Sequence, residues 1–377
     1  MKHKKKNENI KSRAIKYRLY PDSKQKETLE NYFGCCRKVW NLMLSDRIDY
    51  YKQNKKSLHP TPTLYKKKEE FKYLKEVDSL ALANVQLNLE ESYRRFFEKI
   101  SGFPKFKSKK KSKNSYTTNN QGNTIEIKDS SIKLPKIGWL KINNYRKPED
   151  TWKIKSATVS KDKDCKYYVS VLFEYENKVE KLNKNDVIKA IGLDYKSDGF
   201  YCDDTGKVCG SPKFYRKSQK KLARFQRRFS RKVVGSNNKE KQRIKIAKLS
   251  RKVANQRLDF LHKKSFEIAN QYDLVCIEDL NMQAMSQGLN LGKSTLDNGW
   301  GKFVNFLEYK LKDRGKYLIK VDKWFPSSKT CSCCGNKYDI TLKERVYNCP
   351  YCKISIDRET NAAINIKREG LRIFKTL

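Results

Sequence analysis

Residues 10–20 (IKSRAIKYRLY) alternate apolar and polar positions, the period-2 signature of a strand with one buried face. Pro21 and Asp22 close that strand, and Asp22 with Gln25 has the spacing of a capping box, so a helix starts here. Leu29, Phe33, Cys36, Trp40 and Met43 then recur at helical spacing, a stripe that faces a core. A second helix is expected from about Ser79 to Phe97, with Leu82, Val85, Leu89, Tyr93 and Phe96 on one side and Asn84, Asn88 and Arg95 on the other. Residues 124–175 alternate repeatedly (TIEIKDSSIKL, WLKINNY, KIKSATVS, YYVSVLFEY) and read as an antiparallel β-unit. The polar segment KVEKLNKND (178–186) reads as a domain boundary.

Beyond it the pattern changes. VIKAIGLDY is a short apolar strand with Asp194 near its end, and GFYCDD and KVCGS read as hairpin partners. Leu222, Phe225 and Phe229, then Ile246, Leu249 and Val253, form apolar stripes on either side of the VVGSNN turn, which makes 213–270 a helical hairpin. YDLVCIEDL (272–280) is a buried strand ending in Glu278 and Asp279, NGWGKFVNFLEYKLKDRG (298–315) an amphipathic helix, and YLIKVDKW (317–324) one more strand.

Charge sharpens this outline. The 377 residues carry 85 Lys and Arg against 42 Asp and Glu, a formal charge of +43. A compact chain with that much self-repulsion calls for a polyanionic partner, although a solvated lysine-rich surface accounts for part of the excess. The positive charge is also clustered. FPKFKSKKKSKNSY (103–116) interleaves lysines, among them Lys105, Lys107, Lys109 and Lys110, with Phe106 and Tyr116, a composition suited to phosphates and stacked bases. Residues 213–257 hold eighteen Lys and Arg, Arg224, Arg227 and Arg228 among them, against the single acid Glu240. So one-sided a hairpin fits a phosphate backbone.

No apolar run approaches the ~18 residues of a membrane span, so no membrane partner is expected. The opening MKHKKKNENIKSRAIKYRLY lacks the apolar core of a secretory signal. The chain is therefore expected in the cytoplasm or nucleoid of a bacterium, not secreted, with its eleven cysteines reduced or bound to metal. Three histidines, His3, His59 and His262, leave little room for histidine-based catalysis.

Two constellations carry chemistry. Cys331-x2-Cys334 and Cys349-x2-Cys352 present four thiolates at the spacing of a tetrahedral, structural Zn2+ knuckle, with Gly335 and Pro350 shaping its turns. Asp194, Glu278 and Asp357 fall at the ends of two strands and the start of the last helix. Singly they read as a turn residue, a surface acid and a helix cap facing Thr360. Together, converging at one end of a sheet, they would hold two Mg2+ or Mn2+ ions about 3.5–4 Å apart for phosphodiester chemistry. The order β-β-β-helix-β-helix-β with acids at those places is that of an RNase H-like nuclease, and a knuckle inserted before the last helix fixes where Asp357 enters the site.

These segments, taken in order, resemble the TnpB/OrfB family of transposon-associated RNA-guided nucleases, related to type V CRISPR effectors. YRLYPDSKQKETLENYFGCCRKVWN (with Gln25, Gly34, Arg37 and Asn41), SYRRFFEKISGFPKFKSKKKSKNSY, KLPKIGWLKI, IGLDYKSDGF, CIEDLNM, PSSKTCSCCG and DRETNAAINI carry the resemblance along nearly the whole chain. Tyr195 and Lys196 depart from the aliphatic residue and glycine usual in that first acidic motif. The resemblance implies an α/β multidomain chain. Residues 1–20 and 121–180 would form a β-barrel-like, wedge-like unit, 21–120 an inserted helical recognition bundle, 187–324 and 354–377 a RuvC-type nuclease domain, and 325–353 the zinc knuckle. It implies catalytic Asp194, Glu278 and Asp357, and a guide RNA from the transposon end that pairs with target double-stranded DNA beside a short motif. Asn84, Asn88, Thr117 and Thr118 are then candidates for reading that motif. An RNA-guided repressor that cuts nothing and an RNA-independent transposase remain alternatives.

Overall fold

The computed structural model of the protein describes residues 10–288, 292, 297–341 and 344–377. Positions 1–9 of the expected 1–20 segment lie outside the described residues. Two compact units meet in sequence between Asn177 and Lys178, where the polar KVEKLNKND segment begins.

In the first unit, β1 (Ile10–Tyr20) ends at Pro21 and α1 (Ser23–Asn54) follows. The Asp22 carboxylate accepts from the Gln25 amide at 2.8 Å, and the Gln25 side chain accepts from the Asp22 amide at 3.1 Å. Leu29, Phe33, Cys36, Trp40 and Met43 are buried along α1. After α2 (Pro62–Lys66) and a 3-10 segment (Glu69–Lys75), Asp78 caps α3 (Ser79–Phe97) through the amides of Leu80 and Ala81. Strands β2 (Asn114–Asn119), β3 (Glu126–Lys128), β4 (Ser131–Leu134), β5 (Gly138–Ile142), β6 (Lys153–Lys161) and β7 (Tyr167–Glu176) join β1 in a seven-stranded sheet. Its order is β2-β6-β7-β1-β5-β4-β3, every neighbouring pair antiparallel. Ile15, Tyr17 and Leu19 of β1 share one core with the buried faces of α1 and α3.

This sheet corrects one expected boundary. Residues 114–119 belong to it, paired with β6 from Asn114↔Lys161 to Asn119↔Ser156, rather than to a helical insert running to 120. NSYTTN is polar by composition, yet Tyr116 and Thr118 take alternate buried positions, so polar residue types mask a period-2 strand.

In the second unit β8 (Ala190–Tyr195), β9 (Tyr201–Asp203) and β10 (Val208–Cys209) form an antiparallel run, followed by α4 (Phe214–Ser230) and α5 (Asn237–Gln271). Then come β11 (Leu274–Glu278), α6 (Met282–Gly288), α7 (Trp300–Asp313), β12 (Tyr317–Val321), the hairpin β13 (Val346–Asn348) and β14 (Ser355–Asp357), and α8 (Arg358–Thr376). The five-stranded sheet has the order β10-β9-β8-β11-β12, with β8, β11 and β12 parallel. Leu193, Val275 and Ile277 pack with α5 and α7 on one face, and Leu274, Cys276 and Ile319 with α8 on the other. A strand covered on both faces reads as an unbroken apolar run, as LVCI does.

Two glycines let α8 lie directly on the sheet. A Cβ on Gly192 of β8 would overlap the carbonyl of Ala363, and one on Gly370 of α8 would overlap the Cys276 Sγ. Gly370→Ala is expected to cost about 1–3 kcal/mol through overpacking. The cost would appear as a lower urea midpoint with an unchanged slope; an unmoved midpoint would mean that α8 can ride away from the sheet freely.

Candidate active site and metal centre

Asp194 and Glu278 stand side by side. β8 and β11 run parallel in the register Gly192↔Cys276 and Leu193↔Ile277, so the next step sets Asp194 against Glu278 at the carboxyl ends of both strands. Burial pushes the Asp194 carboxyl up to about 8, with the charges of Glu278 and Glu359 adding to it and Arg358 opposing. Burial alone pushes Glu278 up to about 7. Two desolvated acids on adjacent strands are costly when both ionise, and a hard cation accepting their oxygens removes that cost.

Asp357 is placed differently. It is exposed, at the junction of β14 and α8, and one carboxylate oxygen accepts from the Glu359 amide at 3.0 Å, the Thr360 amide at 3.0 Å and the Thr360 hydroxyl at 3.1 Å. That is the work of a helix cap. Glu359, which sequence reasoning passed over, lies in the same neighbourhood and its charge reaches Asp194: it is 6% exposed and paired with Lys196, with Arg345 at 3.3 Å and with Arg358 at 3.9 Å. The signal was present in DRET, where the capping residue and an acid two positions later leave the helix on different sides. Among the described residues, the four cysteines form a group whose metal-binding atoms all lie within 4.8 Å of one another, and the acids form no such closed cage.

That group is Cys331, Cys334, Cys349 and Cys352, with Sγ–Sγ distances of 3.6 Å for Cys331–Cys352 and for Cys334–Cys349. Two like turns build it, closed by Gly335 N–H to the Cys331 carbonyl at 3.0 Å and Lys353 N–H to the Cys349 carbonyl at 3.0 Å. Gly335 sits at φ 77°, where a side chain would strain the turn. The Asn336 amide side chain points at Cys334 Sγ at 3.5 Å, and Cys333 is exposed outside the group. Four converging thiols suit tetrahedral Zn2+ with no position left for substrate.

The knuckle is clasped to α8. Asn361 accepts from the Ser332 amide and donates to the Thr330 carbonyl, each at 2.8 Å; Asn365 donates to the Ser327 carbonyl at 2.8 Å and the Thr330 carbonyl at 2.6 Å; and Arg368 donates to the Ser332 carbonyl. On the other side β13 pairs with β14, Val346 opposite Asp357. The knuckle therefore holds the first turn of α8 from both sides.

The expected nucleic-acid contacts divide. Lys105, Lys109 and Lys110 are exposed, as is Phe106. Lys107 is half-buried with its ammonium 3.4 Å from the centre of the Trp40 ring, and burial pulls it down to about 8. Asn84, Asn88 and Thr117 line one cavity of about 200 Å³ together with Arg37, Lys113 and Ser115. Thr118 does not join them: it is fully buried and its hydroxyl donates to Asp78, so it braces the cap of α3 and cannot read a base. Tyr116, expected to stack on bases, is core, its ring 5.0 Å from that of Tyr32. Arg224, Arg227 and Arg228 are exposed on α4, whose hairpin with α5 is tied by Gln242 donating to the Phe225 carbonyl at 3.1 Å. No helix among the described residues is long and apolar enough to cross a membrane.

An α/β chain that sets buried acids beside a four-thiol knuckle and carries a one-sided basic hairpin has the make-up of a nucleic-acid-processing protein. Family models agree in the same order along the sequence. One described as a helix-turn-helix domain matches residues 11–56, one described as a probable transposase matches 170–288, and a Cas12f1-like TNB domain matches 300–366. A Streptomyces pristinaespiralis protein is 33% identical over 375 residues, 95% of this chain and 89% of that protein. InsQ of Escherichia coli (strain K12) is 30% identical over 379 residues, 95% of this chain and 92% of that one. Both bear the name "Putative RNA-guided DNA endonuclease". This chain belongs to the TnpB/OrfB family. Its fold is similar to that of the protein in "Cryo-EM structure of the Cas12f1-sgRNA-target DNA complex", at a TM-score of 0.59 and 12% identity over 96% of this chain and 99% of that one.

Two predictions follow from this geometry. Asn361 is fully buried, so Asn361→Ala leaves the Ser332 amide short of a partner at about 1–3 kcal/mol, while the Thr330 carbonyl keeps the bond from Asn365. Thermal unfolding of the variant should come earlier, and a zinc chelator should strip its knuckle faster than that of the wild type. For Asp194 the folded value lies above the ordinary one. The folded chain thus holds more protons than the unfolded one, and stability falls as pH rises from the ordinary carboxylate range through about 8. Metal-free wild type should lose more melting temperature between pH 6 and 9 than Asp194→Asn does. Equal losses would mean that Asp194 is solvated.

Proposed function

We propose that this chain is an RNA-guided, divalent-metal-dependent DNA endonuclease of a transposable element, cutting beside a short DNA motif through a RuvC-type centre. The observation that carries the reading is the pair Asp194 and Glu278, two carboxylates desolvated side by side at the ends of parallel strands in a chain of charge +43. Acids in such a chain have many lysines to pair with, and these two are held above the ordinary carboxylate range by burial instead. The names of the relatives that match nearly end to end support the same reading.

In this reading 187–324 and 354–377 form the RNase H-like nuclease domain and 325–353 its zinc knuckle. The seven-stranded sheet is the barrel-like, wedge-like unit, and α1 to α3 are the recognition bundle. Asp194 and Glu278 present oxygens to Mg2+ or Mn2+, which when bound supplies Lewis acidity to the phosphodiester. Asp357 is the third acid at the start of α8, and Glu359, two residues on, is ion-paired with Lys196 beside it. Four thiolates of the knuckle hold Zn2+, which fixes the first turn of α8. Guide RNA and its heteroduplex with target DNA lie on the basic loop around Lys105, Lys109 and Lys110 and on the α4 arginines. The cavity lined by Asn84, Asn88 and Thr117 takes the edge of the flanking motif.

The test is guided cleavage. Protein expressed with its flanking locus and a reprogrammed guide is given Mg2+ and a plasmid library randomised beside the target. Breaks at a fixed distance from an enriched motif are expected. Asp194→Ala and Asp357→Ala should each lower the single-turnover rate by about 100-fold or more, the scale of losing one charge-stabilising group. Asp357→Asn, which keeps the helix cap and removes the charge, should lose nearly as much as Asp357→Ala. Intact plasmid despite bound RNA would make the protein a guided repressor, and cleavage kept in Asp357→Asn but lost in Glu359→Gln would pass the third place to Glu359.

A further inference from the structure

Trp324 is the most exposed of the five tryptophans, with 80% of its surface open. It stands at the end of the sheet that carries the acids. β12 runs beside β11 in parallel register, Glu278 opposite Val321, and the Asp279 amide donates to the Val321 carbonyl at 2.9 Å. Trp324 follows Val321 by three residues, beyond the carboxyl end of β12. Its turn is tied on both sides. The Asp322 carboxylate accepts from the Trp324 amide at 2.8 Å, and the Asp322 carbonyl accepts from the Phe325 amide at 3.0 Å. Phe325 packs against the core that α8 shares with Ile319 and Val321. The Pro326 carbonyl accepts from the Lys329 and Thr330 amides at 3.1 and 3.0 Å, and the Ser327 carbonyl from Asn365 of α8 at 2.8 Å. Of the adjacent pair, Phe325 is turned inward and Trp324 is held out to solvent.

An indole left in water adds nothing to the core, and its broad flat face is suited to stacking. The exposed Lys323 places its ammonium 5.1 Å from the centre of the Trp324 ring, so a flat partner that also carries negative charge fits best. A nucleotide has both. In a duplex the base faces are covered by their neighbours, so the face on offer comes from an unpaired strand. Beside acids suited to phosphodiester chemistry, that strand is the DNA being cut rather than the guide.

We propose that Trp324 stacks on one base of the unpaired target strand next to the scissile phosphodiester, and thereby sets which bond enters the site. The inference rests on the nuclease reading above. Trp324 makes and breaks no bond. Stacking fixes one nucleotide, Lys323 meets a phosphate of the same strand, and the tied turn keeps that nucleotide in a constant place relative to Asp194 and Glu278. A strand free to slide would present several neighbouring bonds in turn, each for less time in the reactive geometry.

The test reads stacking and cut position separately. In guided cleavage with Mg2+, wild-type ends should fall at one bond of each strand. Trp324→Ala should spread the ends over neighbouring bonds and lower the single-turnover rate by about 10-fold or more, the scale of losing one base–aromatic stack. Trp324→Phe should restore most of both, and melting curves should show all three chains equally folded. For stacking, guide-loaded Asp194→Ala is given target DNA with 2-aminopurine placed in turn at each position around the mapped cut. Fluorescence should be quenched at one position beside the cut, and adding Trp324→Ala should relieve that quench while target binding in a gel shift stays unchanged. If Trp324→Ala cuts at the same single bond and leaves the 2-aminopurine signal unmoved, the role of Trp324 is overturned and the nuclease reading stands. Loss of target binding in Trp324→Ala also overturns it, moving Trp324 to capture of the target. A wild type that binds its target and cuts nothing overturns both.

Discussion

The contact between α8 and the parallel strands is closer than side chains normally permit, and the chemistry of the second unit hangs on it. Gly192 and Gly370 remove the two Cβ atoms that would hold helix and sheet apart. With that spacing set, the first turn of α8 reaches the ends of β8 and β11, where Asp194 and Glu278 lie. The same helix then serves three purposes along its length. Asp357 satisfies its free amides, Glu359 meets Lys196, and Asn361, Asn365 and Arg368, one turn apart, hold the backbone of the knuckle. Zinc binding, helix placement and acid placement are thereby one mechanical problem with one solution.

Electrostatics explain why this arrangement is local. Elsewhere in the chain, acids find cations and are held below their ordinary range: Lys161 and Tyr167 bond Glu30, and Lys189 and Lys316 bond Asp273, against the burial that opposes them. Asp194 and Glu278 are raised instead. A protein of charge +43 has no shortage of lysines to place beside them, yet burial outweighs the pull of Arg358 on Asp194, which leaves a site whose missing partner is positive. Glu359 is directly ion-paired with Lys196 and Arg345.

Elements with strong periodicity were legible: the alternation of IKSRAIKYRLY, the Asp22–Gln25 cap, the stripe of α1, and the apolar run of β11 all depend on residue types whose burial preference is plain. The four-cysteine spacing was equally readable, since few other arrangements use two CxxC turns. What sequence hid were places where polar residues do core work. Thr118 is buried because Asp78 accepts its hydroxyl, and Tyr116 because Tyr32 and Phe33 surround it, neither of which shows in SYTTN. The burial of Glu359 beside the cap at Asp357 was hidden for another reason. Both acids lie in one helical turn, and which one caps and which one faces the sheet depends on the angle at which β14 delivers the chain, a tertiary fact.

The basic loop shows the same division between holding and reaching. Its backbone is pinned where it crosses α1: Trp40 donates to the Lys105 carbonyl at 3.1 Å, and Asn41 exchanges two hydrogen bonds with Lys107, at 2.9 and 2.8 Å. Lys107 is the residue that gives up its place in solvent, lying over Trp40. Lys105, Lys109 and Lys110 stay exposed beside it. Side chains that project from a pinned backbone lose less freedom when a phosphate arrives than those of a slack loop. One lysine held over Trp40 would thus lower the ordering cost for any anion its neighbours meet, and the aromatic and amide residues of α1 that pin the loop hold its exposed charges in place.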